Sequence, residues 1–562
     1  MNFIRNPFKS KNIAGFLKNN LLVIFALGIC IFLVFYNLGE IEFWGEDEAQ
    51  TLLYASRFII GLNNHSLANA TSLYSNTTLS FVILIQVPFI LLFGVCELAS
   101  RMPAAIITIL TLLVIYKIGL LFLNRKSAGF LALLYAISGA TGLFKSSIGV
   151  GFYIFFILLG FYNIEKFLYT PDEKERGKFL NLQMGLIFVV LALISVLDAY
   201  LFVPFFAVIL LINIRRTNIK RFLLSLIAPV ILFMSFIYFE FILAKQLTGV
   251  NNATYEHFLG RKEGLSLTFN FKEFIQGFIT SYSIYFIVLF TISLIAVIVL
   301  VAIKKIRTPG ILKRVILLFS LHFAIWMFLM DKENGHLMNG YPVAMLIIAF
   351  AFESISNLIK DRKSIRNGAG ITVKGLAVAV LAVLLCFNFY HTFIVFNDLS
   401  PAKEKYPAIY MPGKIPAGYI WGHKVGIKSA AYLLRKDEFF TGGLVSHLGS
   451  AFNFIYMGGE IIVYNSSNAI EYMMAGEDIT QKYRIRYIAI SPDFFNKEYL
   501  GYINSKGFKK IIITHDDEEI YYIYDVLNSD SEVVVIDRDQ YDGEYNREYT
   551  DIDMALPYFN TF

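Results

Sequence analysis

Residues 21–50 read LLVIFALGICIFLVFYNLGEIEFWGEDEAQ, and they decide the fold class. The first part, Leu21–Tyr36, is an apolar run without a charged residue, and a basic N-terminal stretch precedes it. A run of this kind crosses a lipid bilayer as a helix. No A-x-A cleavage site follows it, so we interpret it as an uncleaved membrane anchor rather than a signal peptide.

The composition of the whole chain indicates a polytopic α-helical membrane protein. Of its 562 residues, 56% are hydrophobic and only 16% are charged, whereas about 25% of the residues of a soluble domain are charged. This excludes a soluble enzyme and a disordered chain. The net charge of +6 comes from lysines and arginines collected in a few short loops, which is a signal of topology, so no nucleic-acid partner is expected. The three cysteines follow no C-x-x-C spacing and predict neither a metal site nor a disulfide framework.

Apolar runs long enough to span the bilayer recur along the first two thirds of the chain. Because one crossing needs about 20 residues, we predict about 11 transmembrane helices. They cover residues 20–38, 103–123, 128–146, 150–168, 181–197, 200–214, 222–243, 280–303, 314–330, 342–359 and 375–396.

The distribution of positive charge predicts the direction of these helices. Basic residues collect before the first span and near residues 125, 215–221, 304–314 and 360–366. All of these clusters fall on one side only if the shorter apolar run 81–95 does not cross, and cytoplasmic loops carry such charge. The sequence therefore predicts a multi-pass protein of the plasma or inner membrane, with a cytoplasmic N-terminus and an interfacial helix at 81–95.

Beyond residue 396 charged residues return and the apolar runs shorten to strand length. Six buried strands are predicted, together with helices at 425–434 and 495–505. We therefore expect a transmembrane domain, residues 1–396, and an extracytoplasmic α/β domain, residues 397–562. The predicted strands are Gly443–Leu448, Ile461–Tyr464, Tyr487–Ser491, Ile511–Thr514, Ile520–Tyr524 and Val533–Ile536.

The first predicted external loop, residues 39–102, begins with the acidic sequence FWGEDEAQ at Phe43–Gln50. Apolar residues then recur at helical spacing, which predicts an amphipathic juxtamembrane helix with Asp47 at its N-cap and Thr51 on its polar side. Two interpretations stay open. Asp47 and Glu48 either stabilise the start of this helix, or they form a carboxylate site at the membrane surface that accepts a proton or binds a metal ion.

Three stretches of the sequence, taken in order, resemble one enzyme family. They are Phe43–Ala49 (FWGEDEA), Phe93–Ala105 (FGVCELASRMPAA) and Lys332–Pro342 (KENGHLMNGYP). Their order, their spacing and the predicted topology are similar to those of the polyprenyl-phosphate-sugar-dependent glycosyltransferases of the GT-C fold. That family includes protein O-mannosyltransferases and the aminoarabinose transferases of lipid A. The likeness covers roughly residues 15–395.

The resemblance implies roles for the residues of the first two stretches. Asp47 would act as general base on the acceptor, and Glu48 would support it. A divalent metal ion is an optional cofactor of such a site, with Asp47 or Glu48 as its ligand. Arg101 would steady the first loop or the donor phosphate, and an interfacial snorkelling arginine is the alternative interpretation.

The resemblance also implies donor contacts in the third stretch. Lys332 and His336 would contact the phosphate of the donor, and Tyr341 closes the same stretch as a further substrate-binding residue. An ordinary solvated loop is the alternative interpretation for Lys332 and His336. Asp198 stands at an outer turn where some relatives carry His-Tyr, so it is either a substrate-binding carboxylate or an exposed turn residue.

The chain departs from the family pattern near its fourth predicted span. Gly151 stands where many relatives carry an arginine, while Tyr153 aligns with a family position nearby. Lys145 would supply the missing cation. The departure leaves open whether the chain is an active member of the family.

The proposed chemistry explains why these residue types are needed. A polyprenyl-phosphate sugar keeps its isoprenoid tail in membrane lipid and its phosphate at the interface, so the enzyme has to work there. Attack by an acceptor hydroxyl develops negative charge on the leaving phosphate, which cations or a metal stabilise, while a carboxylate takes the proton. The resemblance thus implies an inverting glycosyltransferase that moves a hexosyl or pentosyl group to an external glycan, lipid or protein.

Two other functions stay open. A GT-C relative that has lost catalysis could serve as a binding or assembly subunit, and the glycine at position 151 motivates this alternative. A membrane transporter or lipid flippase would instead need ionisable residues deep in the spans and internally repeated topology.

Overall fold

The computed structural model describes most of the predicted spans and all of the predicted strands. At some described positions, including Asp47, Glu48 and Asp198, only the backbone is described. The described residues are 10–36, 38–39, 46–63, 65, 80–144, 150–171, 175–214, 219–243, 246, 283–329, 340–361, 379–390, 392–393, 430, 433–434, 443–446, 463–478, 480, 485–490, 497–515, 518–528 and 532–537.

The part before residue 397 is helical wherever it is described as a regular element. A 3₁₀ helix covers Leu197–Phe202 and a π-helical turn covers Tyr238–Leu243. The α-helices are Ser10–Phe35, Glu46–Asn63, Ser80–Phe93, Glu97–Gly119, Arg125–Ala136, Gly139–Phe144, Val150–Tyr169, Glu175–Leu193, Val203–Ile214, Ile219–Ile237, Ile284–Ala302, Gly310–Leu329, Tyr341–Asp361 and Ala379–Tyr390.

The lengths and hydropathy of these helices are those of a multi-pass membrane protein. Within the described residues, five helices are long and apolar enough to cross a bilayer: Glu97–Gly119, Gly151–Tyr169, Ile219–Glu240, Ile284–Ala302 and Tyr341–Leu358. Each of the predicted spans coincides with helical structure, and their number and direction stay predictions. The predicted span 128–146 is not one continuous helix, because one helix ends at Ala136 and a second one begins at Gly139.

A glycine turn joins the helix Ser80–Phe93 to the helix Glu97–Gly119. Gly94 has a φ of 84°, and its N–H donates to the carbonyl of Ile90 at 2.9 Å, which ends the first helix. Only glycine adopts this conformation without strain, and it is the usual residue just beyond a helix C-terminus. The turn places Arg101 in the second turn of the following helix.

Two helices of the bundle approach closely where both carry glycine. A Cβ atom at Gly160 would lie 3.1 Å from the carbonyl oxygen of Gly185, and one at Gly185 would lie 2.8 Å from a side-chain carbon of Ile164. Small residues allow helix backbones in lipid to pack closely, and packing of this kind is what holds them together there. The pair fixes Val150–Tyr169 against Glu175–Leu193.

One ion pair ties together two helices near the end of the bundle that is predicted to be cytoplasmic. Arg314 donates from Nε and Nη2 to the two carboxylate oxygens of Glu165, at 2.5 and 2.6 Å, and Nη2 also donates to the hydroxyl of Tyr169 at 3.0 Å. The side chain of Glu165 has no exposed surface, and that of Arg314 is 28% exposed. The bidentate geometry is the favourable one for an arginine and a carboxylate.

The described C-terminal elements form a six-stranded mixed sheet with the order β2-β1-β3-β5-β4-β6. Parallel pairs join β1 to β2, β1 to β3 and β4 to β6, whereas β5 runs antiparallel to β3 and β4. The strands are β1 Gly443–Ser446, β2 Val463–Asn465, β3 Ile485–Ile490, β4 Lys509–His515, β5 Glu518–Asp525 and β6 Val533–Asp537, with helices Ser466–Met474 and Lys497–Ser505 between them.

The sheet confirms the α/β character predicted for the C-terminal part. All six predicted strands are present, with shifts of a few residues at their ends. The helix predicted at 495–505 is present as Lys497–Ser505, and the helix Ser466–Met474 was not predicted. Of the helix predicted at 425–434, only residues 430 and 433–434 are described. The division at residue 396 stays a prediction.

Loss of the ion pair should weaken the bundle. We expect Glu165→Gln to lower the free energy of unfolding by about 3 kcal/mol, because breaking a buried pair leaves one partner uncompensated. Thermal unfolding of the detergent-solubilised chain would measure it. Lys313→Gln, which removes an exposed charge one residue from Arg314, is the matched control. Equal melting temperatures for wild type and Glu165→Gln would contradict this account of the pair.

Candidate active site at the outer end of the bundle

The outer end of the bundle is the end predicted to carry the external loops. The helix Glu46–Asn63, which contains Asp47 and Glu48, belongs to the first of these loops. The helix begins at Glu46, so Asp47 and Glu48 fall in its first turn rather than at its cap. Carboxylates in this turn complement the partial positive charge of the helix N-terminus. Their side chains are outside the part of the chain that the structure describes.

The rest of this helix is held firmly against its neighbours. Leu52, Leu53 and Ile59 are buried, as the amphipathic pattern predicts. The prediction was wrong for Thr51, which has no exposed surface and whose hydroxyl accepts a hydrogen bond from the amide of Gln86 at 3.1 Å. The bond pairs the buried Thr51 hydroxyl with the Gln86 amide nitrogen, and buried polar atoms generally need such a partner. The contact fixes Glu46–Asn63 to the helix Ser80–Phe93.

Arg101 joins the start of the helix Glu97–Gly119 to the end of the first predicted span. Its side chain is 4% exposed, and Nη1 donates to the carbonyl of Leu38 at 3.2 Å. Snorkelling would instead leave the guanidinium in the aqueous interface. Glu97 lies one turn earlier on the same helix and is equally buried, so two opposite charges share one buried face. The contact thus links the two ends of the first predicted external loop, and the role of Arg101 at that loop or at the donor phosphate stays a prediction.

Tyr153 lies in the first turn of Val150–Tyr169 and has no exposed surface. Its ring packs against Phe202 with the ring centroids 6.3 Å apart. Phe202 ends the 3₁₀ helix that also contains Asp198, whose side chain is outside the described residues. The structure therefore packs the end of the 3₁₀ helix that contains Asp198 against Tyr153, while the substrate contacts of Asp198 and Tyr153 stay predictions.

The remaining cations of the sequence prediction are not described. Lys145, Lys332 and His336 lie outside the described residues. Tyr341 is described, is 2% exposed, and packs edge-to-face on Phe286 with the ring centroids 5.0 Å apart. Tyr341 thus anchors the end of the stretch that carries Lys332 and His336.

A buried carboxylate at the outer end was not singled out from the sequence. Glu240 is 1% exposed and lies in the π-helical turn Tyr238–Leu243, within electrostatic range of Tyr200. Tyr200 in turn packs on Phe233 at 6.4 Å between ring centroids. An acidic residue in an otherwise apolar predicted span is itself a signal of a functional position, and it was available in the sequence.

Metal ligands cannot be assigned from the described residues. No group of three or more His, Cys, Asp or Glu side chains placed to hold a metal ion occurs among them. The side chains of Asp47 and Glu48 are not among the described ones. The divalent ion stays an optional cofactor of the prediction.

Comparison with known proteins identifies the fold rather than the sequence family. No family model matches the chain, and no curated protein matches its sequence. Among solved structures, it is similar to ArnT from Cupriavidus metallidurans bound to undecaprenyl phosphate, with a TM-score of 0.56 at 12% identity over 91% of this chain and 98% of that one. The apo form of ArnT gives a TM-score of 0.56 at 11% identity, covering 92% and 99% of the two chains.

A second protein shares the architecture. The oligosaccharyltransferase of Archaeoglobus fulgidus, tethered to an acceptor peptide containing the NVT sequon, matches with a TM-score of 0.51 at 12% identity over 87% of this chain and 70% of that one. ArnT is a lipid A aminoarabinose transferase, and both proteins have the GT-C fold. The chain is therefore a multi-pass membrane protein of the GT-C fold with a small sheet toward its C-terminus.

Proposed function

We propose that this chain is an inverting glycosyltransferase that takes its sugar from a polyprenyl-phosphate carrier and delivers it to an acceptor hydroxyl on the external face of the cell membrane. The observation that carries the proposal is the likeness to ArnT, which extends over 98% of that chain and includes its complex with undecaprenyl phosphate. The acidic motif at the outer end gives the proposal its chemistry.

The fixed first turn of Glu46–Asn63 supports Asp47 as the general base. This helix is buried along one side, and the hydroxyl of its Thr51 accepts a hydrogen bond from Gln86. Packing therefore sets the direction of the first turn. A carboxylate held in one place can take the proton of an acceptor hydroxyl as the new glycosidic bond forms. Glu48 then supports Asp47 or ligates a divalent ion.

The donor phosphate needs positive charge on the other side of the anomeric carbon. Lys145, Lys332 and His336 are proposed to supply it, because cations directed at the leaving phosphate stabilise the charge it gains. Arg101 is proposed to hold the first loop through Leu38. Displacement in one step, with the phosphate leaving opposite the hydroxyl, inverts the anomeric configuration.

The positions of the buried charges favour this function over transport. In the described residues, the fully buried charged side chains are Glu97, Arg101, Glu165 and Glu240. Each lies within about two turns of a helix end, whereas a transport path requires ionisable groups near the bilayer midplane. A GT-C relative without catalysis stays the alternative, and the variants below separate it from an active enzyme.

Removal of the proposed base should abolish transfer. We expect Asp47→Asn to lower the rate at least about 100-fold, because general-base catalysis of this kind is worth two or more orders of magnitude. Proteoliposomes supplied with undecaprenyl-phosphate hexoses and pentoses, and with cell membranes as acceptor, would release undecaprenyl phosphate as the measured product. Glu46→Gln, one residue away in the same turn, is the matched control. Near-normal turnover by Asp47→Asn would refute the assignment, and no turnover by wild type would favour the inactive relative.

The proposed orientation can be tested by labelling from outside the cell. With Cys96 and Cys386 replaced by serine, we expect an impermeant maleimide to label Lys497→Cys in intact cells. Lys220→Cys should react only after permeabilisation, because its basic loop is proposed to be cytoplasmic. Both positions are exposed in the structure, so reactivity reports the side of the membrane. The reverse pattern would place the acidic motif in the cytoplasm and exclude the proposed function.

A further inference from the structure

Four basic residues with exposed side chains gather where two apolar helices are connected, at the end of the bundle predicted to be cytoplasmic. The connection, residues 303–309, joins Ile284–Ala302 to Gly310–Leu329. Three of the four fall within four consecutive residues, so their Cα atoms lie within about 11 Å of one another. The connection therefore concentrates positive charge at one place. The basic residues are Lys304, Lys305, Arg307 and Lys313.

This positive charge has no acidic counterpart in its own part of the chain. The sequence contains no Asp or Glu between Glu273 and Asp331. In the described part of the chain, none of the four basic residues takes part in a salt bridge. Arg314, the next residue after Lys313, is the one that Glu165 neutralises. The four charges are consequently available to an anion from outside the chain.

Lys304 adopts a backbone conformation that favours glycine. Its φ is 58°. The N–H of Lys304 donates to the carbonyl of Val301 at 2.9 Å, and the N–H of Lys305 donates to that of Leu300 at 2.9 Å. These two bonds form a Schellman motif, in which the residue with positive φ is usually glycine because a Cβ atom is strained there. A requirement for cytoplasmic charge does not explain this lysine, because any residue of the connection could carry that charge.

Lys313 is also placed against a local preference. It lies in the first turn of Gly310–Leu329, and that turn contains no acidic residue. The partial positive charge of a helix N-terminus disfavours a cation in this position. Two of the four charges thus stand where they weaken the local structure, which favours a role in binding over a role in folding.

The helix surface next to these cations faces lipid. In the most apolar part of Ile284–Ala302 only 17% of the residues are buried within the protein. The helix has 19 residues, which at 1.5 Å per residue rise about 28 Å, close to the thickness of about 30 Å of the hydrocarbon layer. Its end consequently reaches the level of the lipid phosphates. Four apolar side chains near this end are at least half exposed, those of Ile295, Ile298, Val299 and Ile303.

We propose that residues 303–309, with Lys313 and the adjoining surface of Ile284–Ala302, form a binding site for an anionic phospholipid. The phosphate of the headgroup contacts the four cations, and the acyl chains lie along the exposed apolar side chains. A lipid fits better than a free phosphate ion because apolar surface and positive charge adjoin. The site uses none of the residues proposed for catalysis and does not depend on the proposed function.

The test compares two pairs of adjacent cations in the full chain. Lys304→Gln/Lys305→Gln removes two charges from the proposed site. Arg125→Gln/Lys126→Gln is the matched control, because both residues are exposed at a helix end predicted to be cytoplasmic. The neighbour of that pair, Asn124, donates from its N–H to the carboxylate of Glu353, so an acidic group is already present there. Native mass spectrometry of the detergent-solubilised chain would measure binding of phosphatidylglycerol and of phosphatidylcholine with the same acyl chains.

We expect wild type to bind phosphatidylglycerol at least about tenfold more tightly than phosphatidylcholine, because the choline group offsets the charge of the phosphate. Lys304→Gln/Lys305→Gln should lower the affinity for phosphatidylglycerol about fivefold for each cation removed. The control pair should stay within about twofold of wild type, because Glu353 opposes an anion at that position.

Lys304→Gly separates binding from folding in a single variant. Glycine relieves the strain at φ 58°, so the melting temperature in phosphatidylcholine should rise. The affinity for phosphatidylglycerol should nevertheless fall about fivefold, because one of the four charges is lost. A lysine with a structural role alone would change the melting temperature and leave the affinity unchanged. This variant also decides the question if the double variant does not fold.

Three results would overturn the proposed lipid site. The first is equal affinity of wild type for phosphatidylglycerol and phosphatidylcholine. The second is an equal loss of affinity in the two double variants, which would indicate a general attraction to basic loops. The third is an equal rise in melting temperature with soluble glycerol 3-phosphate and with phosphatidylglycerol, which would indicate a site for free phosphate. Sugar transfer enters none of these measurements, so the proposed function stands or fails separately.

Discussion

The hydrocarbon core of the membrane offers no hydrogen bonds, and this constraint governs where polar groups occur in the bundle. Each buried polar group has to find its partner within the protein. Arg101 bonds to Leu38, Glu165 to Arg314, and Asn388 to Ile137. All three contacts join residues far apart in sequence, and each involves a helix end or a point near one. The apolar faces supply the bulk of the packing, and these few contacts select one arrangement of the helices.

Ionic and neutral contacts both serve this purpose. At the end predicted to be cytoplasmic, a bidentate ion pair locks Val150–Tyr169 to Gly310–Leu329. Farther along the bundle, just beyond the helix Arg125–Ala136, neutral amide and hydroxyl groups donate to the carbonyl of Ile137. Either kind of contact satisfies a buried polar group within the protein.

Hydropathy predicts the helices and strands well, because the apolar content of a segment is a local property that a sequence displays directly. The strand Ile485–Ile490 and the helix Ile284–Ala302 could be recognised in this way. Side-chain partners are not local. Thr51 was assigned to a polar face because nothing near it in the sequence indicates its partner, Gln86, which lies 35 residues away. In the same way, the carbonyl of Ile137 is bonded by Asn388, 251 residues away. No periodicity within a single segment contains that information.

In the candidate site, too, residues within short motifs could be predicted from the sequence, whereas residues outside them could not. Asp47, Arg101 and Tyr341 were recognised because short motifs carry them, and the structure places the latter two in buried contacts. Glu240 belongs to no motif, and its π-helical turn has no signature in residue order. Spacing in the sequence also leaves the role of Arg101 undecided between the first loop and the donor. The structure adds the contact with Leu38, which no motif in the sequence indicates.

The lack of hydrogen-bonding groups in the hydrocarbon core also explains how this chain can share its fold with ArnT at only 12% sequence identity. A lipid-facing helix surface needs apolar character and length but no particular residue, so most positions of a bundle can change while the fold is kept. Under the proposed function, the isoprenoid tail and the phosphate of the donor are common to all carriers of this class, and a conserved bundle architecture can recognise both. The sugar and the acceptor are the parts that differ between enzymes. Under the same proposal, we expect their recognition to reside in the loops and the C-terminal sheet region that are predicted to lie outside the membrane, because the requirement for apolar character does not apply there.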